Sequence, residues 1–222
     1  MGMMFGCICL VCFCLLAAKA VTHRCRWEKA DRLLLKIHRI VSIVFVISCA
    51  IHVVCIIPVL QTRSIAVTAT GIAGALILLF LICLCHVIKD GEKKMWWHRV
   101  LTLILALCIS GHIVAYIVDF KQYQQKVNQI AFEEMELVNI ADGTYEGEYD
   151  AGYIYAKVEV QIKNHEILAI NILEHLNERG EPAEKLLDDI VEMQNIYVDT
   201  VSGATNSSNV LKKAVENALM GE

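Results

Sequence analysis

The chain has 222 residues, 56% of them hydrophobic, with a mean hydropathy of +0.51, too apolar for one ordinary soluble domain. Charge divides it: residues 1–120 carry twelve Lys and Arg against five Asp and Glu, a net +7, while residues 121–222 carry eight against nineteen, a net −11. Two physical environments are implied, and the acidic half has no basic footprint for nucleic acid.

Four stretches, approximately 3–20, 39–60, 65–87 and 99–119, are long and apolar enough to cross a hydrocarbon core that needs about 20 residues as helix. The first lacks a basic residue before its apolar run, so Ala18-Lys19-Ala20 reads as part of a retained helix rather than a signal-peptide cleavage site. Basic residues cluster between the first and second stretches (Arg24, Arg26, Lys29, Arg32, Lys36, Arg39) and between the third and fourth (Lys89, Lys93, Lys94, Arg99). Positive-inside counting puts both connections in the cytoplasm, and so the N-terminus and everything after the fourth crossing outside. All ten cysteines lie in this half. Cys7, Cys9, Cys12 and Cys14 fall inside one span, where their thiols point around the helix and read as packing rather than a metal site. Thr68, Thr70, Gly71, Ala73, Gly74 and Ala75 suit close helix approach.

Ionisable residues within spans are costly and mark function. His38 and His52 bracket the second span, His98 and His112 the fourth, each pair 14 positions apart. That separation returns to within about 40° of one helix face after a rise of about 21 Å. The two spans run in the same direction, so His38 is expected level with His98 on the inner side and His52 with His112 further out. Two stacked bis-imidazole sites for b-type haem result. The arrangement resembles, in spacing alone, the four-histidine haem ligation of ferric reductase-like and cytochrome b-type membrane proteins. His38 and His98 also fit interfacial residues that snorkel or bind headgroups, a reading that accounts poorly for His52 and His112. His86 is open to two uses, as an alternative inner ligand or in a quinone site, and His23 is read as merely polar.

Residues 121–139 read as a helical linker, with Val127, Ile130, Ala131 and Leu137 as apolar points. A domain is expected over 140–222. It opens at the Asp142-Gly143 turn, followed by a half-buried strand in which Ile154, Ala156, Val158, Val160 and Ile162 alternate with polar neighbours. Lys163-Asn164 turns the chain into a second strand over 166–173. A helix begins at Glu181-Pro182 with Leu186, Leu187, Ile190 and Val191 facing inward, and a strand over 195–198 follows. His165 and His175 are isolated polar residues without a catalytic task. Neither a Gly-rich dinucleotide fingerprint nor a nucleophile-base pair is present in the sequence.

Asp199-Thr200-Val201-Ser202-Gly203-Ala204-Thr205 then leads into residues 206–219, where Val210, Leu211, Ala214, Val215, Ala218 and Leu219 recur at helical spacing. Gly203 and Ala204 permit a tight turn, and Thr205 falls at the N-cap, where unpaired N–H groups and the helix dipole favour an anion. On local sequence alone Thr205 is equally an ordinary cap. The run Asp199-x-x-Ser202-Gly203-Ala204-Thr205 resembles the flavinylation motif of the FMN-binding domain in subunits of Rnf complexes and sodium-pumping NADH:quinone reductases. Asp142-Gly143-Thr144-Tyr145-Glu146-Gly147 resembles that family's opening strand. The resemblance covers about 140–220 and implies that a separate FMN transferase esterifies Thr205 to the phosphate of FMN on the extracytosolic side.

The expected architecture is a four-helix transmembrane bundle followed by a small extracytosolic α+β FMN-binding domain, in the cell membrane. Its expected function is electron transfer from the cytoplasmic side or the quinone pool through two haems to covalent FMN, and onward to an external acceptor. The donor, a quinol or a cytoplasmic reductase, and the acceptor are not named by the sequence. Two other readings stand beside this one: a terminal extracytosolic reductase, and a haem-free membrane-anchored flavoprotein subunit of a larger redox complex.

Overall fold

The computed structural model describes residues 2–134, 136–177 and 179–221. Two compact units divide it, Met1–Leu60 and Gln61–Glu222. Four long helices come first: α1 (Gly2–Arg24), α2 (Glu28–Ile56), α3 (Ile65–Val87) and α4 (Gly91–Asn128). Each contains an apolar window of which at most 11% is buried inside the protein. So much exposed apolar surface on helices of this length is compatible with a membrane protein.

In the first unit α1 and α2 form an antiparallel hairpin. Phe13 meets Phe45 with ring centroids 6.0 Å apart, the Cys9 and Cys49 sulfurs lie 3.4 Å apart, and Lys19 pairs with Asp31 at 2.6 Å near the turn. The basic connection expected over 21–39 is mostly helical, because α2 already begins at Glu28. Its turn is only residues 25–27, with Arg26 at φ 57°.

In the second unit α3 and α4 form a like hairpin. Ser64 caps α3 by accepting from the Val67 N–H, and Asp90 caps α4 by accepting from Glu92 and Lys93. One expectation is corrected here. The helical linker is about half what was expected, since α4 carries its helix past residue 120 to Asn128, and among the described residues from there to 139 the one further helical element is a short 3-10 turn at Leu137–Asn139. The Gln129 N–H closes the helix against Gln125 and Lys126 carbonyls, and the apolar points beyond it, Ile130 and Leu137, pack separately against the domain core.

The domain is a three-stranded antiparallel sheet in the order β1 (Gly143–Asp150), β2 (Tyr155–Lys163), β3 (Glu166–Leu176). Asn164 and His165, at φ 54° and 62°, supply the two left-handed residues of a type I′ hairpin between β2 and β3. A 3-10 turn at Glu181–Lys185 leads into α5 (Leu186–Met193), and α6 (Thr205–Met220) lies across the sheet. Ala156, Val158 and Val160 of β2, Leu186 and Ile190 of α5, and Val210, Leu211, Ala214 and Val215 of α6 make the buried core. Gly147 of β1 sits directly under α6, where a Cβ would come 2.1 Å from the Ala218 backbone nitrogen.

The strand expected at 195–198 does not form. Ile196 and Val198 are buried as that pattern suggested, but the Val198 carbonyl accepts from the Lys212 ammonium at 2.9 Å instead of from a neighbouring strand.

Candidate flavin-attachment site and histidine layers

The turn before α6 follows from its residues one by one. The Ala204 N–H donates to the Val201 carbonyl at 2.9 Å, with Gly203 between them at φ +80°, as a type II turn requires of its third residue. Ser208 locks the turn from inside the helix: its hydroxyl accepts from the Val201 N–H and donates to the Ala204 carbonyl, both at 3.1 Å. Ala204 is buried and small enough to fit, whereas Ser202, Gly203 and Thr205 face solvent.

Ala204 occupies the N-cap, so Thr205 is the first helical residue rather than the cap, one place on from the sequence expectation. No side-chain hydrogen bond caps this end. An exposed hydroxyl beside the first N–H groups of a 16-residue helix fits a phosphoester, which these donors and the dipole would favour.

Asp199 has a different neighbour. Burial lowers the pKa of Lys212, and the charge of Asp199 opposes that shift. The Lys212 ammonium also lies 4.9 Å above the Phe132 ring. Asp199 thus helps keep a buried cation charged, and Lys212 holds the strand-like segment leading to the turn. Gly180 lies against α6, where a Cβ on it would come 1.8 Å from the Ser207 hydroxyl.

His175 is not isolated. Its side chain is 2% exposed and its Nδ1 lies 2.7 Å from Glu184 Oε1, with the Asn177 amide 3.3 Å away. Asn177 in turn accepts from the Gly180 N–H at 2.7 Å. His165 Nδ1 lies 3.1 Å from the Ile140 carbonyl, securing the hairpin tip.

His38, His52, His98 and His112, on the long apolar helices, occupy two repeated settings. In the first hairpin the His52 ring faces Gly6, where a Cβ would approach it to 3.2 Å; in the second the His112 ring faces Gly71 at the same 3.2 Å. His52 Nδ1 lies 2.8 Å from the Gly2 carbonyl, and His112 Nδ1 lies 3.1 Å from the Val67 carbonyl and 3.2 Å from the Thr70 hydroxyl. In the tautomer with the proton on Nδ1, each ring donates to its carbonyl and is fixed in orientation, as a hydrogen bond from the outer nitrogen fixes a metal-bound histidine.

These bonds place both rings level with the first two turns of α1 and α3; His52 is near the end of α2, whereas His112 is near the middle of the longer α4. At the other end, Ser42 donates to the His38 carbonyl at 2.8 Å and Thr102 to the His98 carbonyl at 2.7 Å. Cys85 approaches His98 Nδ1 to 3.8 Å. His86 turns back on its own helix, 2.9 Å from the Ile82 carbonyl. The spacing signalled the histidines; their glycine partners are 46 and 41 positions away and carried no local signal. Among the described residues no group of three or more His, Cys, Asp or Glu side chains forms a metal site.

A second set of side chains escaped the sequence reading. Asn206, next to Thr205, donates from its amide to the Tyr123 hydroxyl at 2.8 Å. Tyr123 stacks on Tyr153 at 4.9 Å and 12°, and the Arg63 guanidinium sits 3.6 Å over the Tyr153 ring. The available signal was Tyr116, Phe120 and Tyr123, spaced by four and three along one face of α4.

Residues 151–220 match the family model of the FMN-binding domain. The match takes in β2, β3, α5, the turn at 201–204 and α6. No match was found among curated proteins. The C-terminal part of the chain, which follows four apolar helices, is thus similar to the FMN-binding domain, and that similarity supports a flavin-related redox role.

Proposed function

We propose that this protein carries electrons across a membrane to FMN esterified to Thr205 on the extracytosolic side, with two b-type haems held in layers by His38 with His98 and by His52 with His112. The observation that carries this reading is the attachment turn: Gly203 sets the left-handed corner, Ser208 locks it, Ala204 is buried, and the Thr205 hydroxyl is presented to solvent at the start of α6. A separate FMN transferase needs such access to the acceptor hydroxyl. Bound FMN would supply an acceptor for one or two electrons, and haem iron a one-electron carrier.

The settings of His52 and His112 support haem, since in each a carbonyl orients the ring and an opposed glycine leaves room for it. The basic residues clustered around the 25–27 and 88–90 connections support a cytoplasmic location for those ends. The electrons would come from a quinol or a cytoplasmic reductase and leave to an external acceptor.

Coexpression with an FMN transferase tests the attachment. Denatured protein should keep flavin fluorescence and show the added mass of an FMN moiety, and Thr205→Ala should lose both. An adduct that persists in that variant refutes attachment at Thr205. An absorption spectrum of the purified protein tests the haems separately: full flavin with no Soret band, from haem-replete cells, would favour the haem-free anchor.

A further inference from the structure

A continuous column of rings links the face of α4 that carries His112 to the turn that carries Thr205. Tyr116 lies one helical turn beyond His112. Its ring stacks on Phe120 with centroids 6.1 Å apart and planes within 16°, and Phe120 is 6.0 Å from both Tyr123 and Tyr153. Tyr123 and Tyr153 are themselves stacked, and the Tyr123 hydroxyl accepts from Asn206. Tyr123 and Tyr153 are each 7% exposed, so the column is closed to water at its domain end. Arg63, from the connection before α3, covers the outer face of Tyr153. All six residues lie in the second unit.

The column does two things that a flexible tether cannot. It fixes the orientation of the attachment turn against α4, because Asn206 and Thr205 are consecutive. It also fixes a distance: the eleven positions from His112 to Tyr123 span about 16 Å of helix, and along it Tyr116 stacks on Phe120, which is 39% exposed and meets Tyr123 and Tyr153 at tilted angles.

We infer that Tyr123 and Asn206 are positioning residues that dock the flavin-bearing turn onto the end of α4, and that the Tyr116–Phe120–Tyr123–Tyr153 column is the route by which electrons reach it. FMN held on Thr205 would accept two electrons and two protons from solvent, haem held at His112 would supply those electrons one at a time, and the four rings would bridge the two without being oxidised. The electron route rests on the function proposed above; the docking does not.

The test separates the two. In Thr205→Ala protein, which carries no flavin, amide hydrogen exchange over residues 199–208 reads docking alone. Adding Tyr123→Leu or Asn206→Ala should raise exchange there about tenfold, the effect of losing one hydrogen bond or one aromatic pair, while Tyr123→Phe, which keeps the ring, should raise it less. Unchanged exchange in all three overturns the docking.

In flavinylated protein, Phe120→Leu keeps bulk and every hydrogen bond of the seam. It should slow flavin bleaching by electrons delivered through the membrane half at least severalfold. Flavin per polypeptide, haem per polypeptide and bleaching by external dithionite should stay as in wild type. Equal rates of internal reduction in Phe120→Leu and wild type overturn the route. Absence of flavin from Thr205 in the wild type would refute the proposed function and overturn the route with it, leaving the exchange result to decide the docking.

Discussion

Gly147→Ala tests the seat of α6. An alanine Cβ at this position of β1 would lie 2.1 Å from the Ala218 nitrogen, 2.4 Å from the Ala214 oxygen and 2.6 Å from the Ala218 Cα. Carbon contacts settle near 3.5–4.0 Å, so α6 must withdraw by more than about 1 Å, and the obstacle is helix backbone that no rotamer change can move. Overpacking by one methyl costs about 1–3 kcal/mol, here at the upper end because Ala214 and Ala218 lose contact with the sheet together. The smaller unfolded-state entropy of alanine returns about 0.4–1 kcal/mol. The net loss is about 2 kcal/mol, or a fall in Tm of about 8–16 °C for a domain of this size. Full-length protein in detergent should show α6 amides exchanging about thirtyfold faster, and the thermal loss of that protection should move down accordingly. Gly143→Ala is the control, since its Cβ would meet only the Tyr145 ring at 3.5 Å. Wild-type protection and melting in Gly147→Ala would refute the account of how α6 is seated.

Gly203→Val should lower flavin incorporation through backbone strain of about 1–2 kcal/mol, not through a clash, because nothing lies within 4 Å of the Cβ position; fluorescence per denatured polypeptide measures it. His52→Ala or His112→Ala should remove one haem per chain and stop flavin reduction from within while leaving covalent flavin in place, and His38→Ala or His98→Ala should remove the other; haem and flavin per polypeptide decide it. A single cysteine placed in 140–220 of a cysteine-free variant should react with an impermeant thiol reagent in intact cells, and labelling only after lysis would refute an external domain. The hydrogen bond from the Tyr155 hydroxyl to Glu148, 2.6 Å, pushes that phenol up to about 12. Because the folded value lies above the ordinary value near 10, its contribution to stability is present below about pH 10 and is lost as pH rises through about 12; Glu148→Gln should bring the phenolate absorption, read as a difference against Tyr155→Phe, back to lower pH.

Much of this was legible in the sequence because it is written in local pattern. Four helices follow from runs of apolar residues long enough to need no tertiary partner. Strand β2 follows from the alternation Ile154 to Ile162, and the α6 core face from Val210 to Leu219 at helical spacing. The turn before α6 was legible for the same reason: Gly203 is the residue that a left-handed corner selects, and the motif is contiguous. Reading the 195–198 stretch as a strand failed because burial of Ile196 and Val198 looks the same whether a carbonyl is satisfied by a neighbouring strand or by Lys212, and only the fold chooses. The linker failed because α4 had no breaker at residue 120 and ended where its own hydrogen bonds ran out.

What tertiary structure alone decided are the pairings between residues far apart in the chain. Gly147 is a turn-like residue in sequence and becomes the floor under Ala214 and Ala218 only when α6 crosses β1. His52 and His112 were marked by their cost in an apolar span, yet Gly6 and Gly71, which make room for their rings, are anonymous without the antiparallel hairpins that bring them opposite. Tyr123 and Asn206 are 83 positions apart, with no periodicity connecting them. A chain specifies its elements through contacts within a few residues, whose pattern one strand of sequence displays; a site between elements depends on docking geometry set by the whole core, which that pattern does not contain.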